Sequence, residues 1–432
     1  MSQPICAPAT PLFPGAVAVV RVSGPALAVL LQPLVKLPAA RRASLRTLAW
    51  DGFQEQALVL FFPAPASYTG EDVAEFHLHG NPLLVRRFLE HLGRLGIRLA
   101  EPGEFTRRAL LNGKQTLLSA EALRDAIGAA TDTQLRQAQA RCGAVPAWVE
   151  AARGALSPWM ARAEAAVDYG EEEGIGLDLD PMRIDLGGLR RTFHVEQKRA
   201  EAARWLRDGL RIALVGRPNA GKSTLFNTLA GEDRAIVTEV PGTTRDVLEV
   251  RAEWADLPLY LFDTAGLRHT EDPVERLGVA RVAAVLEKAD LILHLVPAMD
   301  PGPDPDILER LSPYEGKVLV VRNQADLAGG EGLRISAATG DLSALEGALK
   351  ERFLGGLAPD ACLGALATER QRALLDELVL QLELLFQLQE PCPPELPASV
   401  LQGLWTLLAR LTGEDRAETA LDQVFSGFCL GK

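Results

Sequence analysis

The sequence predicts a multidomain α/β protein: an N-terminal α+β domain, a discontinuous helical bundle, and a doubly wound α/β domain inserted into that bundle. The length, 432 residues, exceeds what one core organises, since domains run roughly 100 to 200 residues. Residues 209–356 alternate short apolar runs with helical stretches, whereas the segments on either side are alanine- and leucine-rich with a three- to four-residue period. Each flank has an apolar face that needs a partner, and the ends of an inserted domain lie close together, so the two flanks are expected to pack as one bundle. The expected boundaries are 1–115, then 116–208 together with 357–432, and 209–356.

Within 1–115, β-like runs at 17–22, 57–62 and 73–78 alternate with turn clusters and one helix near 83–95. Between 117 and 207, Trp148, Ala152, Leu156 and Trp159 mark an apolar stripe on a helix. In the α/β segment, 211–215, 257–262, 291–296 and 317–321 read as buried parallel strands because they are near-continuous apolar runs. Helical periodicity resumes with Leu374, Leu378, Leu382 and Leu385, then Val400, Leu404, Leu407 and Leu411. The Pro/Gly-rich stretches 300–306 and 391–397, and the acidic 171–176, read as loops.

At 47% hydrophobic and 24% charged residues, broad disorder is excluded. No apolar run approaches the roughly 20 residues of a membrane helix, and residues 1–9 show no basic stretch leading into an apolar one, so a cytoplasmic protein with no membrane association is expected. The five cysteines lack disulfide or zinc spacing. A net charge of −12 argues against sequence-blind nucleic-acid binding over a broad surface, which requires clustered cations. Arg41, Arg42, Arg46, Arg107 and Arg108 are candidates for a local tRNA patch, with solvated surface arginine as the plainer reading. Only eight of the 45 basic residues are lysine, and three of them, Lys114, Lys222 and Lys432, fall in the motifs below.

Gly216-Arg217-Pro218-Asn219-Ala220-Gly221-Lys222-Ser223 fits GxxxxGK[ST] between a strand and a helix expected at 224–230. The backbone of Asn219, Ala220 and Gly221 and the helix start at Thr224 would wrap phosphate oxygens, Lys222 would reach β- and γ-oxygens, and the Ser223 hydroxyl would ligate Mg²⁺. Thr238-Glu239-Val240-Pro241 leads into Gly242-Thr243-Thr244, whose Thr244 suits the same Mg²⁺ shell. Asp263-Thr264-Ala265-Gly266 stands at a strand end, with Asp263 for a magnesium-bound water and Gly266 N–H for the γ-phosphate. Asn323-Gln324-Ala325-Asp326 is similar to NKxD and precedes Ser336-Ala337-Ala338. Asp326 would accept hydrogen bonds from guanine N1–H and the exocyclic amine, a pattern adenine does not offer, so GTP is the expected nucleotide. Gln324 departs from the motif, where a lysine stem packs on the base.

Leu267 stands where Ras-like switches carry a water-orienting glutamine. Charge developing between the β- and γ-phosphates also needs a cation, and the Asn219 amide oxygen with carbonyls of the 238–243 loop is placed to hold K⁺ there.

These motifs, with GRPNAGKSTL, GTTRDV, DTAGLR, Val274-Glu275-Arg276 and the terminal Phe428-Cys429-Leu430-Gly431-Lys432, closely resemble the MnmE (TrmE) family of tRNA modification GTPases over nearly the whole chain. The resemblance implies a Ras-like P-loop GTPase domain and an N-terminal domain like folate-binding ones. It implies K⁺ held by Asn219, Thr238, Val240 and Thr243, a water oriented through Glu275, and G domains that pair within a homodimer. Ser67-Tyr68-Thr69-Gly70-Glu71-Asp72, Glu101-Pro102-Gly103-Glu104-Phe105-Thr106 and Asn112-Gly113-Lys114 also match the family. By position Arg21, Glu75, Lys114 and Lys432 would contact 5-formyl- or 5,10-methylene-tetrahydrofolate, and Cys429 is implicated in modification. Leu12-Phe13-Pro14-Gly15-Ala16-Val17 departs from the family's more glycine-rich run. The implied reaction adds an aminomethyl or carboxymethylaminomethyl group at C5 of wobble uridine 34 in tRNA, with an FAD-dependent partner of the MnmG (GidA) family in a heterotetramer. The alternative is an Era-like RNA-binding switch in ribosome assembly, which usually carries a compact basic appendage that this sequence does not display.

Overall fold

In the computed structural model, residues 3–143, 145–173, 177–231, 249–262, 282–327 and 331–414 are described, together with Phe428 and Gly431. The chain forms two compact units, one of residues 1–124, 142–145 and 408–432, the other of residues 125–141 and 146–407.

The first unit is built on a six-stranded sheet of order β3-β4-β5-β2-β1-β6. Its strands are β1 (Ile5–Pro8), β2 (Gly15–Gly24), β3 (Ser44–Trp50), β4 (Phe53–Phe62), β5 (Asp72–Gly80) and β6 (Arg98–Leu99). Helices α1 (Leu27–Leu30), α2 (Pro82–Arg94) and α3 (Glu104–Leu111) complete it. Asn81 starts α2 by accepting hydrogen bonds from Leu83 N and Leu84 N, and Pro82 fits a first turn whose N–H has no helical partner. Val85, Phe88 and Leu92 then face the sheet, with Phe88 edge-on to Trp50 at 5.1 Å and to Phe76 at 5.2 Å. Burying such a side chain stabilises by about 1.5–3 kcal/mol.

Helix α3 was not visible as a periodic pattern, and its burial explains why. Glu104, Phe105, Thr106, Arg108, Ala109 and Leu110 are all buried, so charged and apolar residues face protein alike. The solvated reading of Arg108 is therefore wrong: it is 8% exposed and pairs with Glu71 at 3.0 Å and Glu104 at 2.8 Å. Helix α4 (Leu117–Gly128) follows, and Phe428 lies against Leu110, Leu117 and Ala120.

The second unit holds α5 (Asp132–Arg141), α6 (Ala147–Glu173) and α7 (Leu179–Asp208) ahead of a second six-stranded sheet. That sheet consists of β7 (Leu210–Gly216), β8 (Glu249–Trp254), β9 (Leu257–Phe262), β10 (Leu291–Pro297), β11 (Val318–Asn323) and β12 (Leu333–Arg334), in the order β12-β11-β10-β7-β9-β8. The four expected strands pair in parallel, while β8 is an antiparallel edge. Around them stand α8 (Lys222–Ala230), α9 (Pro305–Leu311) and α10 (Ser343–Leu354), followed by α11 (Glu369–Gln387) and α12 (Glu395–Thr412).

Helix α11 packs along α7, so segments on opposite sides of the nucleotide-type sheet share one helical layer. The bundle is discontinuous, as the periodicity required. The start of α11 is fixed by a capping box in which Thr368 and Gln371 satisfy each other's backbone N–H groups. The C-terminal turns of α7 also enter the sheet's own core through Ala202, Ala203 and Leu206.

Several boundaries differ from expectation. Helix α8 begins at Lys222, two residues early, because Gly221 takes the left-handed turn that precedes it. The buried stripe of α6 runs through Val149, Ala152, Leu156 and Trp159, with Trp148 half-buried and edge-on to Phe193 at 5.7 Å. The stretches expected as loops give up residues to helices: Glu171, Glu172 and Glu173 end α6, Pro305 and Asp306 open α9, and Glu395 opens α12. Proline and acidic residues are tolerated in a first turn, and this is where α9 and α12 use them.

Candidate nucleotide-binding site

The loop Gly216–Gly221 joins the C-terminal end of β7 to α8, in the crevice where parallel α/β sheets bind ligands. Lys222 donates to Gly216 O at 2.7 Å and Arg217 O at 2.8 Å, which folds its ammonium back over the loop. Ser223 and Thr224 are exposed in the first turn of α8, where free N–H groups and the helix dipole favour anions. Asn219 is exposed at φ 66°, a left-handed conformation that asparagine tolerates. Arg217 forms an ion pair with Asp304, the residue that caps α9, and this bond holds the Asp304 carboxyl below the ordinary range.

The base-side motif is connected to this loop residue by residue. Asn323 Nδ2 donates to Ala220 O at 3.0 Å, and Ala337 N donates to Asn323 Oδ1 at 3.0 Å. Asp326 accepts from Ser336 Oγ at 2.6 Å, so the two loops that would face the purine are joined through the carboxylate expected to read it. Gln324, at φ 64°, reaches Asn219 O with its Nε2 at 3.4 Å. Gly221 must be glycine: φ is +86°, and a Cβ would lie 2.1 Å from Asn323 Nδ2.

Thus the structure brings together Asn219, Ala220, Gly221, Lys222, Ser223 and Thr224 with Asn323, Gln324, Ala325, Asp326, Ser336, Ala337 and Ala338. The candidates at 238–244 and 263–266, with Glu275, Cys429 and Lys432, lie outside the described residues. Ser223 offers the hard hydroxyl oxygen that Mg²⁺ prefers, and the Asn219 amide is a neutral hard donor suited to a monovalent cation.

A second constellation lies in the first unit. Arg21 on β2 and Glu75 on β5 are cross-strand partners, and their side chains pair at 2.9 Å. The Arg21 guanidinium also lies 5.5 Å from the Tyr68 ring centroid and 5.9 Å from that of Phe105. Lys114 is exposed with its stem over Gly70, and Asn112 Nδ2 donates to Thr69 O at 2.7 Å. The 67–72 loop thereby meets Arg21 through Tyr68 and the Lys114 stem through Gly70. Gly431 adds the tail: a Cβ there would lie 2.1 Å from Pro8 O, at the end of β1.

Sequence reasoning missed the Arg217–Asp304 pair and the ion-pair chain Glu71–Arg108–Glu104–Arg98. Arg217–Asp304 and Arg108–Glu71 join residues 87 and 37 apart in sequence, and a charged residue carries no mark of so distant a partner.

Comparison with known proteins gives the family of the chain. The family model for the GTP-binding protein TrmE N-terminus matches residues 4–114, and that for the MnmE helical domain matches residues 117–429. The chain belongs to the MnmE family. Its relatives named tRNA modification GTPase MnmE include one from Methylobacterium radiotolerans, 41% identical over 99% of this chain and 98% of that protein. Another, from Cereibacter sphaeroides, is 42% identical over 96% of each, and one from Thermus thermophilus is 39% identical over the full length of both. As an MnmE-family protein the chain is a GTP hydrolase of tRNA modification. Among the described residues no helix is long and apolar enough to cross a membrane.

Proposed function

We propose that this MnmE-family chain is a K⁺-dependent GTPase that works as a homodimer with an FAD-dependent MnmG-family partner to add a carboxymethylaminomethyl group at C5 of uridine 34 in certain tRNAs. The observation that carries the potassium reading is Asn219, exposed and left-handed in the phosphate loop, three residues before Lys222. Leu267 cannot orient the attacking water, and, separately, the charge that develops between the β- and γ-phosphates needs a cation. K⁺ would supply that charge when held by Asn219 with Thr238, Val240 and Thr243, while Ser223 and Thr244 would hold Mg²⁺. Lys222 steadies the β- and γ-oxygens, Asp326 selects guanine, and Glu275 orients the attacking water.

In the first unit, Arg21, Glu75, Lys114 and Lys432 would bind a 5-formyl- or 5,10-methylene-tetrahydrofolate. A carboxylate such as Glu75 suits the donor edge of a pterin, and Arg21 and Lys114 suit the glutamyl anions. Residues 1–115 would be the folate and dimerisation domain, 116–208 with 357–432 the helical domain, and 209–356 the G domain. The heterotetramer acts in the cytoplasm, and Cys429 takes part in modification.

The deciding measurement is GTP hydrolysis by the full chain in KCl and in NaCl. Hydrolysis is expected to be at least tenfold faster in KCl, with Asn219→Ala abolishing the difference. Equal rates in the two salts would refute the potassium reading. Wobble-uridine nucleosides from cells lacking the gene test the tRNA reading independently.

A further inference from the structure

Asn323 and Gln324 are consecutive, and each places a side-chain amide on one of two consecutive carbonyls of the phosphate loop: Asn323 Nδ2 on Ala220 O at 3.0 Å, Gln324 Nε2 on Asn219 O at 3.4 Å. The two residues so joined at the outer rung, Asn219 and Gln324, both adopt left-handed backbone, at φ 66° and 64°. The backbone conformation of Asn219 decides where its own side chain points, because χ1 starts from Cα. A hydrogen bond that holds the Asn219 peptide therefore holds the Cα–Cβ bond from which the Asn219 amide extends and limits the positions that amide can reach.

We propose that Gln324 is a positioning residue for Asn219: its neutral amide holds the phosphate loop from the base side without adding a positive charge beside it. A lysine at this position can also donate to the Asn219 carbonyl. Its ammonium, however, sets a full positive charge on a residue whose side chain is to hold a second cation, and like charges at short range oppose each other. Glutamine keeps the donor and removes the repulsion. The substitution thus couples guanine recognition to cation binding through one peptide group. The charge part of this inference rests on the reading that Asn219 holds a monovalent cation, whereas the hydrogen-bond part does not.

The test uses the full chain and three variants, Gln324→Met, Gln324→Lys and Gln324→Ala. Equilibrium GDP binding in KCl reads the grip on the loop. Methionine keeps the stem but cannot donate, so Gln324→Met is expected to weaken GDP about threefold to tenfold, the range of one lost hydrogen bond, and Gln324→Lys to restore it. Gln324→Ala, which also loses the stem, should be weaker still. The KCl concentration giving half-maximal hydrolysis reads the charge, and it should rise severalfold in Gln324→Lys while its GDP affinity stays at the parental level. GDP binding by Gln324→Met equal to the parent overturns the positioning role. An unchanged potassium requirement in Gln324→Lys overturns the charge part. If the parent itself shows no potassium response, the functional reading fails, and the comparison of Gln324→Met with the parent still decides the hydrogen bond. Matching melting temperatures across the variants exclude misfolding as the cause.

Discussion

The carboxylate of Glu253 receives two hydrogen bonds from a single residue, Thr133: from its backbone N–H at 3.1 Å and from its hydroxyl at 3.1 Å. Thr133 lies in the first turn of α5 and Glu253 near the turn of the β8–β9 hairpin, 120 residues on. An anion at a helix N-terminus satisfies a free N–H and favours the positive end of the dipole. Arg136, one turn further along α5, reaches Asp256 in the same hairpin at 3.4 Å. At the other end of α5, Arg141 pairs with Asp125 at 2.8 Å, and Arg207 of α7 binds the same carboxylate at 2.8 Å. The hairpin is thereby tied through α5 to the long helix of the bundle.

Glu253→Ala should loosen this tie without touching the nucleotide loop. The loss of a charge-assisted pair on a 3%-exposed threonine is expected to cost about 1–2 kcal/mol locally. Hydrogen exchange of the amides in the first turn of α5 should accelerate roughly fivefold to thirtyfold, with GDP affinity within about twofold of the parent. Unchanged exchange in that turn would show that the pair contributes nothing. In a cycle with Thr133→Val the two effects should be non-additive.

Glu104 sets a pH dependence in the first unit. Burial favours its neutral form, but hydrogen bonds from Arg98, the Glu101 N–H and Arg108 outweigh it and hold the carboxyl at about 2, against an ordinary 4.5. A group depressed in the folded state contributes stability that is complete above its unfolded value and lost as pH falls toward its folded one. The contribution, roughly 3 kcal/mol by linkage, should therefore disappear between about pH 5 and pH 2. Glu104→Gln should flatten unfolding against pH across that interval and lower the midpoint at pH 7. An acid limb as steep as the parent's would place the titrating group elsewhere.

Gly221→Ala tests the junction of the phosphate and base loops. The new Cβ would meet Asn323 Nδ2 at 2.1 Å on a backbone at φ +86°, so Asn323 must move and release both Ala220 O and Ala337 N. Backbone strain and two broken buried hydrogen bonds together amount to about 2–4 kcal/mol, or at least thirtyfold in GDP affinity. Calorimetric titration with GDP would measure it, and an affinity within threefold of the parent would contradict the packing described.

How much of this was legible in the chain depends on how local the determining chemistry is. The strands 210–216, 257–262, 291–297 and 318–323 could be read because parallel strands are covered on both faces and become continuous apolar runs. The phosphate loop could be read because its glycines, Lys222 and Ser223 act within eight residues. Strand β8 could not, since an antiparallel edge with Glu249, Arg251 and Glu253 looks like exposed polar chain. Helix α3 was hidden for the opposite reason: Glu104 and Arg108 are buried against each other, which removes the polar face that periodicity requires. The Gln324–Asn219 bond joins residues 105 apart, and only the fold makes the motif's departure from lysine interpretable.

The C-terminal tail offers the most direct test of the folate reading. Gly431 has φ +94°, and a Cβ would come within 2.1 Å of Pro8 O and 3.2 Å of Ala9 Cα, so only glycine fits against the end of β1. In β1 Ala7 is paired with Arg21 of the neighbouring β2, which puts this contact one strand from the Arg21–Glu75 pair. Gly431→Ala should therefore displace the tail at this point, and on the proposed reading that Lys432 contacts the folate anion, one cationic contact should be lost. Tetrahydrofolate affinity of the full chain is expected to fall about tenfold, as for a lost charge-assisted hydrogen bond, with GTP hydrolysis unchanged. Lys432→Ala should reproduce the loss, and Gly431→Ala combined with it should add little, because both act on the same contact. Folate binding that is insensitive to both substitutions would remove the tail from the site and leave Arg21, Glu75 and Lys114 to hold the ligand alone.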